Sequence, residues 1–375
     1  MTVGIDEIYV RDKNLNKIGL IENAESIIWT NRYFECGDFE IYAPASKKTL
    51  NLCKIGRFLT HNDSNVPMII EEYKITTDLD GIDYITISGR CATAILARRV
   101  IFGTTAKRPE EYASLRIREL ITHNAIMPTE IYGNSVRRID KLKFSESLLY
   151  PDEIEYESGE YEGQNLYKAV TDICKQNGFG IKVQLEFPQG TTNIEKENTG
   201  FLNVVLYNGL DQSKNQDEFE AVVFSPSHGN LAESEYGVSW TNYANSPIAF
   251  AKTGAHAGTV SSFGQASGLD RYEISVDVSD IDASNVDSEY EYTAMSRTRA
   301  YELISNYKQN VAFDGKVVFS ESYTYKIDYD LGDIVTMENE YGATETLRVV
   351  EVIESLDSNG YVITPILRGV TEITN

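Results

Sequence analysis

The sequence predicts a β-rich α+β protein, and two observations carry that prediction. The first is a pair of stretches with one grammar, GRFLTHNDSNVPMIIEEYKITTDLDGIDYITISGR (Gly56–Arg90) and GDIVTMENEYGATETLRVVEVIESLDSNGYVITPILRG (Gly332–Gly369). Each opens on Gly, a charged residue and apolar residues leading into Thr, passes through an apolar run mixed with Glu, and turns at an Asp/Gly cluster. A Tyr-led apolar strand then runs to Gly and Arg. Turn clusters rich in Asp, Asn and Gly tolerate left-handed backbone and read as hairpin connections, so each stretch reads as three strands and the pair as a duplicated β-domain. The second observation is that helical periodicity is confined to a few stretches while period-two alternation recurs along the chain.

From the N-terminus, residues 3–100 read as strands: IDEIYVRD, KIGLIENAESIIWTNRYFE and GDFEI alternate apolar with polar, and Pro44 ends the last. KKTLNLCKI is a short amphipathic piece, and ATAILARRVI fits either a helical face or a strand. RPEEYASLRIRELITHNA is expected to be a helix with Pro109 in its first turn, Glu110 and Glu111 complementing its N-terminus, and a stripe of Ala113, Ile117, Leu120 and Ile121. Residues 127–160 lack a period and read as a surface connection.

GQNLYKAVTDICKQNGFG carries the strongest helix signal. Asn165 is placed to cap it, Leu166, Ala169, Val170, Ile173 and Cys174 share a face, and Gly178 suits a left-handed stop. Strands follow at IKVQLEF, FLNVVLYNG, FEAVVFS, YGVSWTNY, PIAFAKTG and RYEISVDVSD, with a Gly/Ser/Ala-rich loop at 253–268. The stretch from Val286 up to Asn310 reads as one helix with Tyr290, Ala294, Arg297, Tyr301 and Ile304 at heptad-like spacing. KVVFSES and the second copy of the repeated stretch close the chain.

The chain has 375 residues, 42% hydrophobic and 24% charged, which is ordinary globular composition at a length that predicts several sub-domains. Its formal net charge of −23 argues against nucleic-acid binding and for a solvated acidic surface. The 24 Tyr suit half-buried strands and wet interfaces. Four widely spaced cysteines, Cys36, Cys53, Cys91 and Cys174, form no metal motif and read as buried reduced thiols. The N-terminus has no signal-peptide pattern and no apolar run reaches membrane-span length, so a soluble protein made in a cytoplasm is expected.

Candidate chemistry is thin. His61, His123, His228 and His256 lie in no metal-ligand spacing, and His123 reads as a helix-terminus partner. The glycines Gly254, Gly258, Gly264 and Gly268 lack the Lys-Ser/Thr pair of a phosphate loop, and Ser225 and Ser261 lack a nucleophile-elbow context. Carboxylate clusters at Asp78–Asp80, Asp277–Asp282 and Asp328–Asp333 do not fit a calcium loop, and glycosidase pairs are set in space rather than sequence. No catalytic, cofactor-binding or metal residue is assigned, and no cofactor is expected.

Several of these stretches together carry a family resemblance. IIWTNRYFECGDFEI (Ile27–Ile41), the GRFL that opens the first repeat, and ITISGRCATAILARRV (Ile85–Val100) resemble the start of siphophage tail hub proteins and the hub-like N-terminal parts of tail-associated lysins. The helix after Gly163-Gln164-Asn165, the Gly-rich segment running into Asp270-Arg271, and Tyr329-Asp330-Leu331-Gly332-Asp333 extend the likeness over nearly the whole chain. The Gly-rich segment departs from the acidic, glycine-dense family version, so no binding role is carried onto it.

The resemblance implies a baseplate-hub fold: two related β-barrel domains with α/β insertions. The corresponding division is 1–100 plus about 185–250 as first barrel, 101–184 as helical insertion, and 251–375 as second barrel with a helix near 287–310. It further implies a homotrimeric ring of six barrels joining a sixfold tail tube to a threefold tip. A distal tail protein or tube would lie above, a tip fibre or lysin below, and a tape-measure protein is a further partner the resemblance implies. DNA would pass unbound through the lumen. It implies a virion structural protein and not an enzyme, because family activity usually sits in an added C-terminal domain. A glycan-binding module and a peptidoglycan hydrolase are the competing readings.

Overall fold

The computed structural model describes residues 5, 7–62, 64–102, 111–128, 135–144, 155–156, 161–188, 200–253, 257–258, 260–281, 289–304, 307, 310–318 and 322–370. The chain divides into two compact units, Met1–Ala232 with Lys316–Thr374, and Glu233–Gly315. The limits expected at 100, 184 and 250 therefore do not coincide with this division. The chain leaves the first unit once, at 232, and returns at 316.

The first unit opens with β1 (Ile8–Arg11), β2 (Lys17–Ile21), β3 (Ser26–Arg32), β4 (Asp38–Pro44), helix α1 (Lys47–Leu52), β5 (Phe58–His61), β6 (Ser64–Thr77) and β7 (Asp83–Cys91). Alternation does what it should in β4, where Phe39, Ile41 and Ala43 are buried between polar or half-exposed neighbours. Ser46 caps α1 by accepting from the Thr49 amide. The ambiguous ATAILARR segment resolves as a 3-10 helix, Ala92–Arg98.

The helical insert follows: β8 (Glu111–Tyr112), α2 (Ala113–Ile121), a π turn (Thr122–Ile126), β9 (Leu142–Phe144), β10 (Glu155–Tyr156), α3 (Leu166–Asn177), β11 (Gly180–Glu186) and β12 (Phe201–Tyr207). The α2 stripe is buried as read, but the helix begins later than expected. Glu111 is spent in a two-residue strand paired with Tyr156, and Pro109 and Glu110 lie outside the described residues. α3 matches its reading: Asn165 accepts from the Lys168 amide, all five residues of the expected face are buried, and Gly178 sits at φ 73°. Helices α2 and α3 enclose one core with the inner faces of β11 and β12.

β13 (Val223–Phe224) ends this part, and β14 (Leu231–Ser239) leads into the second unit with β15 (Ser246–Phe250), β16 (Val260–Ser262), β17 (Glu273–Asp277), α4 (Glu289–Ile304) and β18 (Asn310–Val317). β15 lies between β16 and β17, β14 pairs β18, and α4 packs on a small core of Ala249, Ala251, Phe263, Val276 and Val278. The helix presents Tyr292, Ser296 and Ala300 to that core, while Tyr290 is 85% exposed and Tyr301 is 49% exposed. The expected stripe is out of phase because the core takes the ridge of Tyr292, Ser296 and Ala300, which lies on another face of the helix from Tyr290, Ala294, Arg297 and Tyr301.

The chain closes with β19 (Ile334–Glu338), β20 (Thr344–Asp357) and β21 (Gly360–Gly369), the three strands read for the second repeat. They form an antiparallel meander in the same order as β5, β6 and β7. Both long middle strands have fourteen residues. Both shift register against the third strand at matching places, Ile70/Glu72 and Val349/Glu351. A one-residue bulge recurring at the same point of two separate hairpins is a shared design of the repeat.

The two repeats do not stand apart. One eleven-stranded sheet runs β13-β19-β20-β3-β4-β7-β6-β5-β1-β2, with β21 also on β20. Among the described residues the path is open and no closed barrel is detected. The reason is β20: its first half pairs β19 and its second half pairs β3 along the same edge, so the repeats merge into one sheet. Arg32 fastens the joint by bonding both Glu351 and Asp38.

Tyr33, at the end of β3, organises the surroundings of that joint. Its amide bonds the Val350 carbonyl, and its hydroxyl lies 3.2 Å from the carbonyl oxygens of Gly178 and Tyr207. Gly180 and Gly332 approach its ring so closely that added Cβ atoms would lie 2.6 and 2.3 Å from ring carbons. Both positions require glycine for that reason, and Gly332 also for its φ of 101°.

Candidate functional site: a cationic cavity in the first unit

A cavity of about 920 Å³ opens in the first unit, lined from β1 and β5, the end of β3, β11, and residues 325–331. It gathers Arg11, Lys17, Arg32, Lys182 and Lys326 against the carboxylates Glu35 and Asp330. This is a cationic interior in a chain of net charge −23. Sequence reasoning missed it because its cations come from positions more than three hundred residues apart.

Neighbouring groups hold these cations. Arg11 donates to the Leu15 carbonyl at 2.9 Å and lies over the Phe187 ring. Lys182 projects from β11 over the Tyr207 ring, with 4.3 Å from Nζ to centroid, and burial lowers its pKa while Asp330 opposes that shift. Lys326 has a left-handed backbone, φ 66°, and its Nζ is 3.7 Å from the buried Glu354 carboxylate. Arg32 and Glu35 are committed elsewhere, Arg32 to Asp38 and Glu351 and Glu35 to Lys175.

His61 is the most unusual lining residue. It is 4% exposed, its ring meets Trp29 edge-on at 4.8 Å, and neither ring nitrogen has a hydrogen-bond partner. Burial first and the Lys326 charge second push its pKa down to about 3, so it is neutral at neutral pH. No carboxylate orients it and no serine or cysteine bonds to it, so it lacks the nucleophile–base geometry of acyl transfer. The cavity can accommodate an anionic group by charge; it presents no assembled reaction centre.

The other sequence candidates cap turns. Asp78 accepts from the amides of Asp80 and Ile82 in the β6–β7 turn. Asp277 is held down to about 2 by Ser279 hydrogen bonds, with Lys252 assisting, and Asp280 pairs with Arg299. Asp333, 5% exposed, accepts from the amides of Leu210 and Asp330, though burial still raises its pKa.

His123 lies 3.9 Å from Glu119, and His228 Nδ1 is 3.3 Å from the Val223 carbonyl. Ser225 caps the turn that contains His228. Gly258, Gly264 and Gly268 supply positive-φ turns, and Ser261 lies in β16. His256, Gly254 and Asp282 lie outside the described residues. Among the described residues no cluster of His, Cys, Asp or Glu is arranged to hold a metal, and no helix is long and apolar enough to cross a membrane. Cys36, Cys53, Cys91 and Cys174 are buried free thiols, as read.

A merged meander sheet, a helical insert and a second α+β unit make up a fold found in phage tail proteins. It is shared with the 43 kDa tail protein of prophage MuSo2 from Shewanella oneidensis, at 13% identity and a TM-score of 0.56, covering 97% of this chain and 98% of that one. A tail protein from Neisseria meningitidis MC58 is similar at 11% identity and a TM-score of 0.53, with 98% of each chain covered. Prophage tail protein gp18 from Listeria monocytogenes EGD-e is similar at 12% identity and a TM-score of 0.50, covering 98% of this chain and 97% of that one. Over residues 7–367 the chain matches the Siphovirus ReqiPepy6 Gp37-like proteins, and it belongs to that family. No curated protein matches it.

Proposed function

We propose that this protein is a structural hub of a phage tail tip. Three copies form a ring that joins the sixfold tail tube to a threefold tip, with each repeat contributing one barrel wall. The observation that carries the reading is the internal repeat, with equal fourteen-residue middle strands, the same pairing order and the same bulge. A duplicated unit lets three chains present six similar faces to a sixfold partner. Family membership and the shared tail-protein fold support the same assignment.

In this role the chain catalyses nothing, contacts a distal tail protein or tube above and a fibre or lysin below, and passes DNA through an acidic lumen that repels it. Light scattering coupled to gel filtration, followed by negative-stain imaging of the full chain, tests the reading. Three chains in a ring around a channel are expected, and a chain that forms no ring refutes it.

One observation favours a second, glycan-binding reading. Trp240, Tyr243 and Tyr272 form a cluster in the second unit with ring centroids 4.7 to 5.8 Å apart, and Trp240 is 49% exposed. Titration of cell-wall oligosaccharides against Trp fluorescence discriminates. A saturable change abolished by Trp240→Ala supports glycan binding, and a flat response removes it.

A further inference from the structure

The middle strands of the two repeats, β6 and β20, are treated alike along most of their length. Each has a long partner along most of one edge, β7 or β21, and a short strand on the first half of the other, β5 or β19. They differ over the second half of that other edge. In β20, Glu351–Leu356 pairs with β3, and Val352 and Glu354 are buried to 0% and 1% exposure. Aligned on their bulges, the matching residues of β6 are Glu72–Thr77. No described strand pairs that edge beyond Ile70, and Glu72–Thr77 are all exposed.

The side chains there suit a partner rather than water. Tyr73 and Ile75 face the same side as their cross-strand partners Ile87 and Ile85, both fully buried in the sheet core. Yet Tyr73 is 46% exposed and Ile75 47%. Ile82 at 49% and Leu79 at 106% extend the apolar margin around the β6–β7 turn. The core thus runs out to an unpaired edge, an arrangement that templates pairing with another strand. Glu71–Thr77 holds no proline, and of its three charges Glu71 is committed to Arg90, leaving Glu72 and Lys74.

We propose that this open half-edge of β6 is closed by an antiparallel strand from the C-terminal repeat of a second copy of the chain, as β3 closes β20 within one copy. The proposal rests on the hub reading and gives it a specific joint. The occupant follows from the internal precedent: within one chain the N-terminal strand β3 closes this half-edge of the C-terminal repeat, and the reciprocal closure of β6 by a C-terminal strand must draw on a neighbour. Repeat-to-repeat joining between copies is head-to-tail, the type of contact that closes into a ring when the rotation permits.

The test uses the full chain and the double variant Tyr73→Lys/Ile75→Lys, whose positions are exposed enough to accept lysine without unfolding. Charges pointing inward along an edge strand are a device that blocks pairing. The concentration for half-assembly is expected to rise at least tenfold, with the thermal midpoint of the dissociated chain unchanged. Hydrogen exchange supplies the second reading: fast amides within 72–77 of the dissociated wild type slow at least tenfold on assembly. A ring in which these amides stay fast, or in which the double variant assembles normally, overturns the joint and leaves the hub reading standing. A chain that forms no ring overturns the hub reading itself and with it the occupant named here.

Discussion

Replacing His61 with Phe tests whether the buried ring is a source of acid sensitivity. The ring is 4% exposed, packs edge-on against Trp29, and has no hydrogen-bond partner on either nitrogen. Phe keeps the shape and the aromatic contact while removing two orphaned polar atoms, a change worth about 1 kcal/mol of added stability at pH 7. The larger effect is linkage. In the unfolded chain His61 titrates near its ordinary 6.5, whereas burial pushes it down to about 3 in the fold. Below pH 6.5 the unfolded state therefore binds a proton that the folded state refuses, and stability falls as pH falls until the folded ring titrates near 3.

Between pH 7 and pH 4 this difference amounts to about 3 kcal/mol, at roughly 1.4 kcal/mol per pH unit. Carboxylates titrate over the same range in both proteins, so the comparison with the variant isolates the histidine. Urea unfolding followed by Trp fluorescence at pH 7, 6, 5 and 4 supplies the measurement. His61→Phe is expected to lose about 3 kcal/mol less than wild type across the series. Parallel pH profiles within about 0.5 kcal/mol would show that His61 is either solvated or already charged in the fold, and would refute the reasoning.

Gly332→Ala places a methyl 2.3 Å from the Tyr33 ring at a backbone φ of 101°, so a loss of roughly 3 kcal/mol or more is expected in thermal unfolding. Arg32→Ala removes the clasp between β3, β4 and β20, and a loss of about 1–2 kcal/mol is expected in urea. A double-mutant cycle with Glu351→Ala should recover a coupling that an incidental surface pair would not show. Asn165→Ala removes the α3 cap and Gly178→Ala opposes its left-handed stop, each costing about 1 kcal/mol. As these sites lie at opposite ends of the helix, their effects should add.

What the sequence disclosed divides along a physical line. α3 was legible because its cap, buried stripe and stop all lie within fourteen consecutive residues. The three-strand repeat was legible for the same reason, since hairpin turns declare themselves locally. α4 was read as a helix with the wrong face inward, because Tyr290, Tyr292 and Tyr301 offer competing apolar stripes and only the core it meets selects one. The start of α2 was missed because Glu111 satisfies its backbone in a strand with Tyr156, forty-five residues on, which no local propensity records. The cavity escaped entirely: Arg11, Lys182 and Lys326 become neighbours only once β11 and the 325–331 segment have folded against the N-terminal strands.

The pairing of β3 with β20 also sets a timetable. Arg32 meets Glu351 across 319 residues of sequence, so a nascent chain exposes the outer edge of β3 until β20 has been made. At translation speeds of about 5–20 residues per second that delay is roughly fifteen seconds to a minute, far longer than a hairpin takes to form. During it the N-terminal strands β1–β7 can assemble but cannot be sealed. Termination before Glu351–Leu356 has been made would leave this edge open, so chains cut short upstream of β20 should yield aggregates. β20 thus acts as the latch that seals strands made long before it.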